Sequence, residues 1–252
     1  MNAKHLTNRA VVALTTQDAD ENVRDFLQGL VTNDVSGNLP VYAALLSAQG
    51  KTMFDFLVCE PTGPGTGPKA PSTIWIDCEK ILADDLVRRL SLYRLRRKIA
   101  ISIEPSLDVM WSRERFDGSS ADPRHPDLGY RSIAANTSNI ESGDAEYFAH
   151  RLSLGISEGY SEMHEILWLE TNAIELNGVS FEKGCYVGQE NTARMNWRQK
   201  VNRRLVVVPI EQSDKKRRRA AYPEWGLAVD HLRVADLDPS TLPDWQAVGI
   251  SG

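Results

Sequence analysis

The sequence is poor in cysteine: Cys59, Cys78 and Cys185 are the only three in 252 residues, an odd number at wide spacing. No CxxC pair occurs, and the five histidines form neither an HExxH nor an HxxxH arrangement. A disulfide framework and a locally encoded zinc site are therefore not expected, and no metal-ligand set is assigned. Cys59 and Cys78 lie in apolar surroundings and read as small core residues. Long hydrophobic runs are missing as well. The longest near the N-terminus, Ala10 to Leu14, falls far short of the ~18 residues of a membrane helix and is too short for a secretory signal. Nor do the first residues show the Arg-rich amphipathic pattern of a transit peptide. An excess of positive charge is absent too. Lys and Arg total 29 against 34 for Asp and Glu, a net charge of −5, which argues against general polyanion binding. What remains is ordinary globular composition, 42% hydrophobic and 25% charged, enough for one large or two small domains. The expectation is a soluble, cytoplasmic, monomeric protein with no membrane and no direct nucleic-acid partner.

Periodicity organises the chain. Ala10 to Thr15 reads as a strand, followed by a helix that Asp18 or Asp20 would cap, with Val23, Phe26, Leu27 and Leu30 on one face. Tyr42 to Leu46 and Thr52 to Glu60 read as strands. In the second, Met53, Asp55, Leu57 and Cys59 alternate with Phe54, Phe56 and Val58. Pro61 to Thr73 is more than half Pro and Gly, which predicts a mobile loop, and Thr73 to Ile76 is strand again. Ile81 to Tyr93 is the clearest helix, with Leu82, Leu86 and Leu90 spaced by four, and Arg96 to Ile103 alternates as a strand. Leu167 to Leu176 reads as helical, Asn177-Gly178 as a turn, and a helix is expected after Gly184. Arg204 to Ile210 reads as a strand, and the residues beyond it are Pro-broken and weakly patterned. Strands and helices mix without a βαβ rhythm, so the fold class is α+β.

Two local patterns invite a function and fit a bland reading better. Gly155-Ile-Ser-Glu-Gly159 matches the GxSxG nucleophile elbow, but no buried parallel strand precedes it and no HGGG-type segment occurs; it reads as a turn. Lys215 to Arg219 is a run of five cations without interleaved aromatics, and Arg94, Arg96, Arg97 and Lys98 form a second basic group. Both read as solvated faces, with an interaction module working through Lys215 to Arg219 as the outside possibility.

The segment Asn177 to Glu190 is different in kind. If Cys185 opens a helix, its thiol sits at the positive end of the helix dipole beside Lys183, and both effects favour thiolate. Gln189 lies one turn on, Glu190 and Arg194 are spaced to pair, and Gly188 suggests close approach of another backbone or a ligand. A buried structural cysteine in an ordinary capped helix is an equally good reading of these residues.

Lys183-Gly-Cys-Tyr-Val-Gly-Gln-Glu190, followed by Ala193-Arg194, resembles the signature of the YgfZ family, folate-binding proteins similar in fold to the T-protein (aminomethyltransferase) of the glycine cleavage system. Phe26 to Val35, Ser47 to Lys51, Asp122-Pro-Arg124 with Leu128 to Arg131, and Arg151 to Gly159 also look like family segments. The resemblance runs from about Ala10 to Val208, and its character is that of the bacterial relatives of the mitochondrial iron–sulfur maturation factor. It implies a helper in assembling or repairing iron–sulfur clusters in client enzymes, some of which modify tRNA, with tetrahydrofolate or a derivative as cofactor. The implied fold is a three-lobed ring. Residues 1–200 would form the folate-binding region, with lobe one about 1–47 and 127–200, lobe two about 48–126, and 201–252 a small, truncated β-barrel-like lobe.

The resemblance also implies roles. Cys185 would be the reactive or cluster-contacting thiol, with Lys183 lowering its pKa. Tyr186, Gln189 and Glu190 would shape the site, Arg194 would pair with Glu190, and Asn33 and Asp34 would face them. Where some family members carry an aromatic this chain has Arg9 and Arg151, and because Arg binds carboxylate bidentately these two would instead meet the carboxylates of a folate glutamate tail. The T-protein has two adjacent acids where this chain has Phe54-Asp55, and its Tyr-Thr-Gly-Glu segment has no counterpart here. A folate-dependent one-carbon transferase using Asp55 as its surviving acid is the alternative. Partners would be iron–sulfur client or assembly proteins.

Overall fold

A computed structural model describes residues 3–61, 72–136, 140–198 and 201–250; most of the Pro/Gly-rich stretch expected to be a mobile loop lies outside the described residues. The chain begins with β1 (Lys4–His5), β2 (Arg9–Thr16), α1 (Val23–Gln28), β3 (Val41–Leu46), β4 (Thr52–Cys59) and β5 (Thr73–Glu79). Next come α2 (Ala83–Arg94), β6 (Ile99–Ile103), β7 (Leu107–Ser112), β8 (Ser120–Ala121) and β9 (Tyr130–Ala135). The remainder holds α3 (Asp144–Ser153), α4 (Tyr160–Met163), α5 (Gln189–Arg198), β10 (Arg203–Pro209), β11 (Arg218–Tyr222), β12 (Leu227–Arg233) and α6 (Asp244–Ile250). The α+β expectation holds.

Three sheets result. A five-stranded sheet runs β3-β4-β5-β2-β6, a four-stranded sheet β1-β7-β9-β8, and an open three-stranded sheet β10-β12-β11. All the pairings between these strands are antiparallel. The five-stranded sheet is covered on both faces, so its strands are apolar at nearly every position. One face packs Val12, Leu14, Phe56, Val58 and Ile76 under α1 and α2, which contribute Phe26, Leu27, Leu86 and Leu90. The other face carries Val11 and Leu57 into a second core with Val109, Trp111, Tyr147 and Trp168. A strand alternates its side chains, so Arg9, Asp55 and Asp77 share that second face with Val11 and Leu57. Asp77 stands in register with Val11 on one side and Leu57 on the other. This face builds the site.

Several expectations shift. The first helix is capped by Asn22, whose side chain accepts from the Arg24 N–H at 2.9 Å, not by Asp18 or Asp20. Leu167 to Leu176 is not a helix. A single 3-10 turn, Trp168–Thr171, ends at Asn172 in the left-handed region (φ 64°), whose amide donates to the Leu205 carbonyl at 2.9 Å. The helix expected after Gly184 starts only at Gln189. In the C-terminal part the edge strand β10 is covered instead of joining a barrel: Gln246 in α6 also donates to the Leu205 carbonyl, at 2.7 Å.

Candidate functional site

Three arginines and three carboxylates are buried together where the five-stranded sheet meets the four-stranded sheet and α3. Arg9 donates Nε to Asp77 Oδ1 at 2.6 Å and Nη2 to the Asp77 carbonyl at 2.7 Å. Arg131 joins Asp77 Oδ2 at 2.8 Å to Asp122 Oδ2 at 3.0 Å. Arg124 grips Asp122 bidentately, Nε to Oδ1 at 2.9 Å and Nη2 to Oδ2 at 2.7 Å. Glu158 closes the set. It accepts from the Tyr147 hydroxyl at 2.5 Å and from Arg124, and lies 3.5 Å from Arg9 and 3.6 Å from Arg131. Burial opposes the charge on Glu158 and Asp122. For Glu158, Arg124, Arg9 and Arg131 override it and hold the carboxyl well below the usual range; for Asp122, Arg124 and Arg131 keep it low. Beside this cluster Arg151 forms its own buried fork with Glu162, at 2.8 and 3.0 Å.

Two cavities flank the cluster. The first, about 200 Å³, is walled by apolar groups such as Leu57, Val109 and Ile133, with Asp77, Asp122 and Arg131 as its polar side. The second, about 420 Å³, is bordered by Arg9, Tyr147, Phe148, Arg151, Glu158 and Glu162. Asp55 is buried and has no ion-pair partner among the described residues; it accepts from the Gly159 N–H at 3.2 Å and the Tyr42 hydroxyl at 3.4 Å. Burial, reinforced by Glu158, pushes its carboxyl up to about 6.

The cysteine segment is a second unit, joined to the first through Tyr42. The Tyr42 ring lies under the Arg124 guanidinium at 5.2 Å and against Trp168 at 5.5 Å, while its carbonyl accepts from the Asn33 amide at 2.8 Å. The same Asn33 amide reaches the Asn177 carbonyl at 2.7 Å, and the Asn177 amide reaches Pro123 at 3.1 Å. Further on, Lys183 turns inward and donates Nζ to the Val31 carbonyl at 2.6 Å and the Asn33 carbonyl at 2.8 Å. Burial lowers that ammonium to about 8, with Asp34 acting in the opposite sense. At the other end Gly188 (φ 81°) lies against the β3–β4 turn. A Cβ there would stand 2.5 Å from the Ser47 carbonyl oxygen, so only glycine fits. The close backbone approach expected at Gly188 is thus found. Between these anchors Tyr186 is buried and Cys185 is exposed.

The structure therefore brings Asn33, Lys183, Tyr186 and Cys185 together and places Asp55, Arg9 and Arg151 around the buried cluster. It changes the premise for an activated thiol. Cys185 precedes α5 by four residues instead of opening it, and the Lys183 ammonium is committed to two carbonyls. Gln189 caps locally, its side chain accepting from the Tyr186 N–H at 3.3 Å, and Asp34 accepts from Gln28 and Ser36. Glu190 and Arg194 are both exposed and form no ion pair with each other. In the basic run, Arg218 bonds the Ser213 hydroxyl and Arg219 the carbonyls of Glu162 and His164. Of the cluster, the sequence reading names only Arg9 as a site residue and misses Asp122, Arg124, Tyr147 and Glu158 as well as Asp77 and Arg131, the last two of which stand out most in the sequence. The signal of these two was present: each is a charge inside an otherwise apolar strand, at a position whose neighbours face the core.

No family model matches the chain. Its fold is that of the glycine cleavage T-protein. The crystal structure of glycine cleavage system aminomethyltransferase T from Bartonella henselae superposes with a TM-score of 0.60 over 92% of this chain and 78% of that one, at 11% sequence identity. In sequence the chain is homologous to mitochondrial iron–sulfur cluster assembly factors named IBA57. It is 31% identical to that of Mus musculus over 242 residues, 82% of this chain and 65% of the relative. It is 31% identical to that of Homo sapiens over 222 residues, 73% and 60% of the two chains. The homologue from Dictyostelium discoideum is 28% identical over 259 residues, 83% and 62%. The chain thus spans less than two thirds of the length of these curated relatives. The expected kinship with iron–sulfur maturation factors of the T-protein fold is found, under the IBA57 name where the signature resembled YgfZ. The expectation of a cytoplasmic protein is corrected, because these relatives are mitochondrial proteins.

Tetrahydrofolate, implied by the resemblance, does not match the residues meant to hold its tail. Arg9 is taken by Asp77 and Glu158, and Arg151 by Glu162 and the Ile156 carbonyl. The first cavity, about 200 Å³, is smaller than the ~300–1,000 Å³ of ordinary ligand pockets, and the second sets four carboxylates, on Glu79, Asp144, Glu158 and Glu162, against three cations, on Arg9, Lys80 and Arg151, of which the two arginines are already paired.

Proposed function

We propose that this chain assists iron–sulfur cluster assembly by offering the Cys185 thiol to a cluster held on a partner protein. One observation carries the reading. Cys185 is exposed on a short segment fixed at both ends, by Lys183 on the Val31 and Asn33 carbonyls and by Gly188 on the β3–β4 turn. Cysteine thiolate is the usual protein ligand of iron in such clusters, and a ligand held in place loses little freedom on binding. The homology to iron–sulfur assembly factors supports the reading. In it the cluster is cargo, Cys185 contacts it, Tyr186 and Lys183 set the loop, and Asn33 ties the loop to Tyr42 and the buried cluster. Tetrahydrofolate has no part in the reaction. One-carbon transfer through Asp55 is not favoured, because its carboxyl already accepts from Gly159 and Tyr42 inside the core.

The test is anaerobic cluster delivery from a loaded assembly protein to an apo iron–sulfur enzyme, read as recovered enzyme activity. The chain should raise the rate, Cys185→Ser should not, and tetrahydrofolate should change neither. Equal rates with Cys185→Ser would refute the role of the thiol.

A further inference from the structure

We infer that the central cavities exclude anionic ligands, and that the resident carboxylates, Glu158 foremost, set this exclusion. The inference stands on the buried cluster and is independent of the Cys185 reading.

Three guanidiniums, on Arg9, Arg124 and Arg131, face three carboxylates, on Asp77, Asp122 and Glu158. All six groups are buried or nearly so, hence each charge is held by its partner more than by water. Glu158 reaches all three arginines and the Tyr147 hydroxyl at once. It occupies the place a ligand carboxylate or phosphate would need, with the bidentate and charge-assisted bonds that make arginine an anion receptor already formed inside the chain.

The cluster is the shared wall of both cavities. Asp77, Asp122 and Arg131 border one, and Arg9, Tyr147 and Glu158 border the other. An anion entering either meets a cluster wall whose positive charge is already matched, and in the second cavity the carboxylates of Glu79, Asp144 and Glu162 outnumber the remaining cations, Lys80 and Arg151. Asp55, ionised at neutral pH, adds a further negative charge behind that wall. To bind, an anion would have to displace Glu158 and leave that carboxylate buried without a partner, which is strongly unfavourable. Neutral ligands carry no such penalty in the apolar first cavity. Arg151 offers no escape, since Glu162 holds both ends of its fork and is itself fixed by the Tyr222 hydroxyl at 2.7 Å and the Glu158 N–H at 2.9 Å. A glutamate-tailed folate is one member of the excluded class, and inorganic pyrophosphate is a simpler one.

Calorimetric titration of the full chain with tetrahydrofolate and with pyrophosphate tests this, using the wild type and Glu158→Gln. The amide keeps the side chain's shape but leaves the three arginines with one unmatched positive charge. The wild type should show no saturable heat with either anion, and Glu158→Gln should gain binding by roughly tenfold or more. If Glu158→Gln does not fold, Asp77→Asn frees the same charge from the other side and should show the same gain. Saturable wild-type binding of either anion would overturn the inference. A folded variant with no gain would overturn the assignment to the carboxylates.

Discussion

Arg9 holds Asp77 through both its side chain and its backbone, Nε to Oδ1 at 2.6 Å and Nη2 to the carbonyl at 2.7 Å. The two residues lie on neighbouring strands of the five-stranded sheet, and Asp77 passes the link on to Arg131 of the four-stranded sheet. The ion cluster therefore clasps two sheets. Arg9→Met keeps most of the side-chain volume but leaves Asp77 and Glu158 short of a cation inside the core. The expected loss is about 3–5 kcal/mol of unfolding free energy in urea. A loss below about 1 kcal/mol, the value of an exposed pair, would show that the clasp contributes little.

Asp55 works against stability at neutral pH. Its carboxyl is raised from 3.8 to about 6 in the fold, first by burial, so the folded chain binds the proton more tightly than the unfolded one. The cost is absent below pH 3.8, grows as pH rises through about 6, and is complete above it. Asp55→Asn removes the titrating group and keeps an acceptor for the Gly159 N–H. It should stabilise the protein by on the order of 2–3 kcal/mol at pH 7.5 and have little effect near pH 4. Equal effects at both pH values would contradict this account.

Lys183 fixes the cysteine segment by capping two carbonyls, so Lys183→Met should loosen it. The unmet carbonyls of Val31 and Asn33 cost about 1–3 kcal/mol, and amide exchange should rise selectively around residues 181–187. Unchanged exchange there would mean that Gly188 and the β3–β4 turn hold the segment without help.

The three cysteines should differ sharply toward an alkylating reagent under native conditions. Cys185 is exposed, whereas burial pushes up the thiols of both Cys59, at the edge of the first cavity, and Cys78. Peptide mapping by mass spectrometry should find label on Cys185 first and on Cys59 and Cys78 far more slowly. Cys185→Ser, a surface change, should leave the unfolding free energy within about 0.5 kcal/mol.

Much of the fold is legible in residue spacing, because burial on both faces leaves strong patterns in β2 to β5 and an apolar stripe in α2. Two segments are not. Leu167 to Leu176 has helical apolar spacing, yet Trp168 donates to the Gly178 carbonyl and Asn172 to Leu205, so distant partners decide the path. The helix after Gly184 is delayed because Gly188 adopts φ 81° to touch the β3–β4 turn, a contact that local sequence does not encode. The site divides in the same way. The cysteine segment is continuous and can be read directly. The ion cluster draws on β2, β5, β9, α3 and two loops; Arg9 and the segments holding Asp122, Arg124 and Glu158 stand out in the sequence, and the charges of Asp77 and Arg131 inside apolar strands hint at the rest.

The proposal that Cys185 contacts the cluster is tested most directly by visible circular dichroism of a cluster-loaded assembly protein, recorded anaerobically as the chain is added. A new thiolate ligand changes the asymmetry of the iron–sulfur transitions. The account predicts a saturable spectral change with the wild type and none with folded Cys185→Ser. The same change with both proteins would place the contact elsewhere and contradict the account.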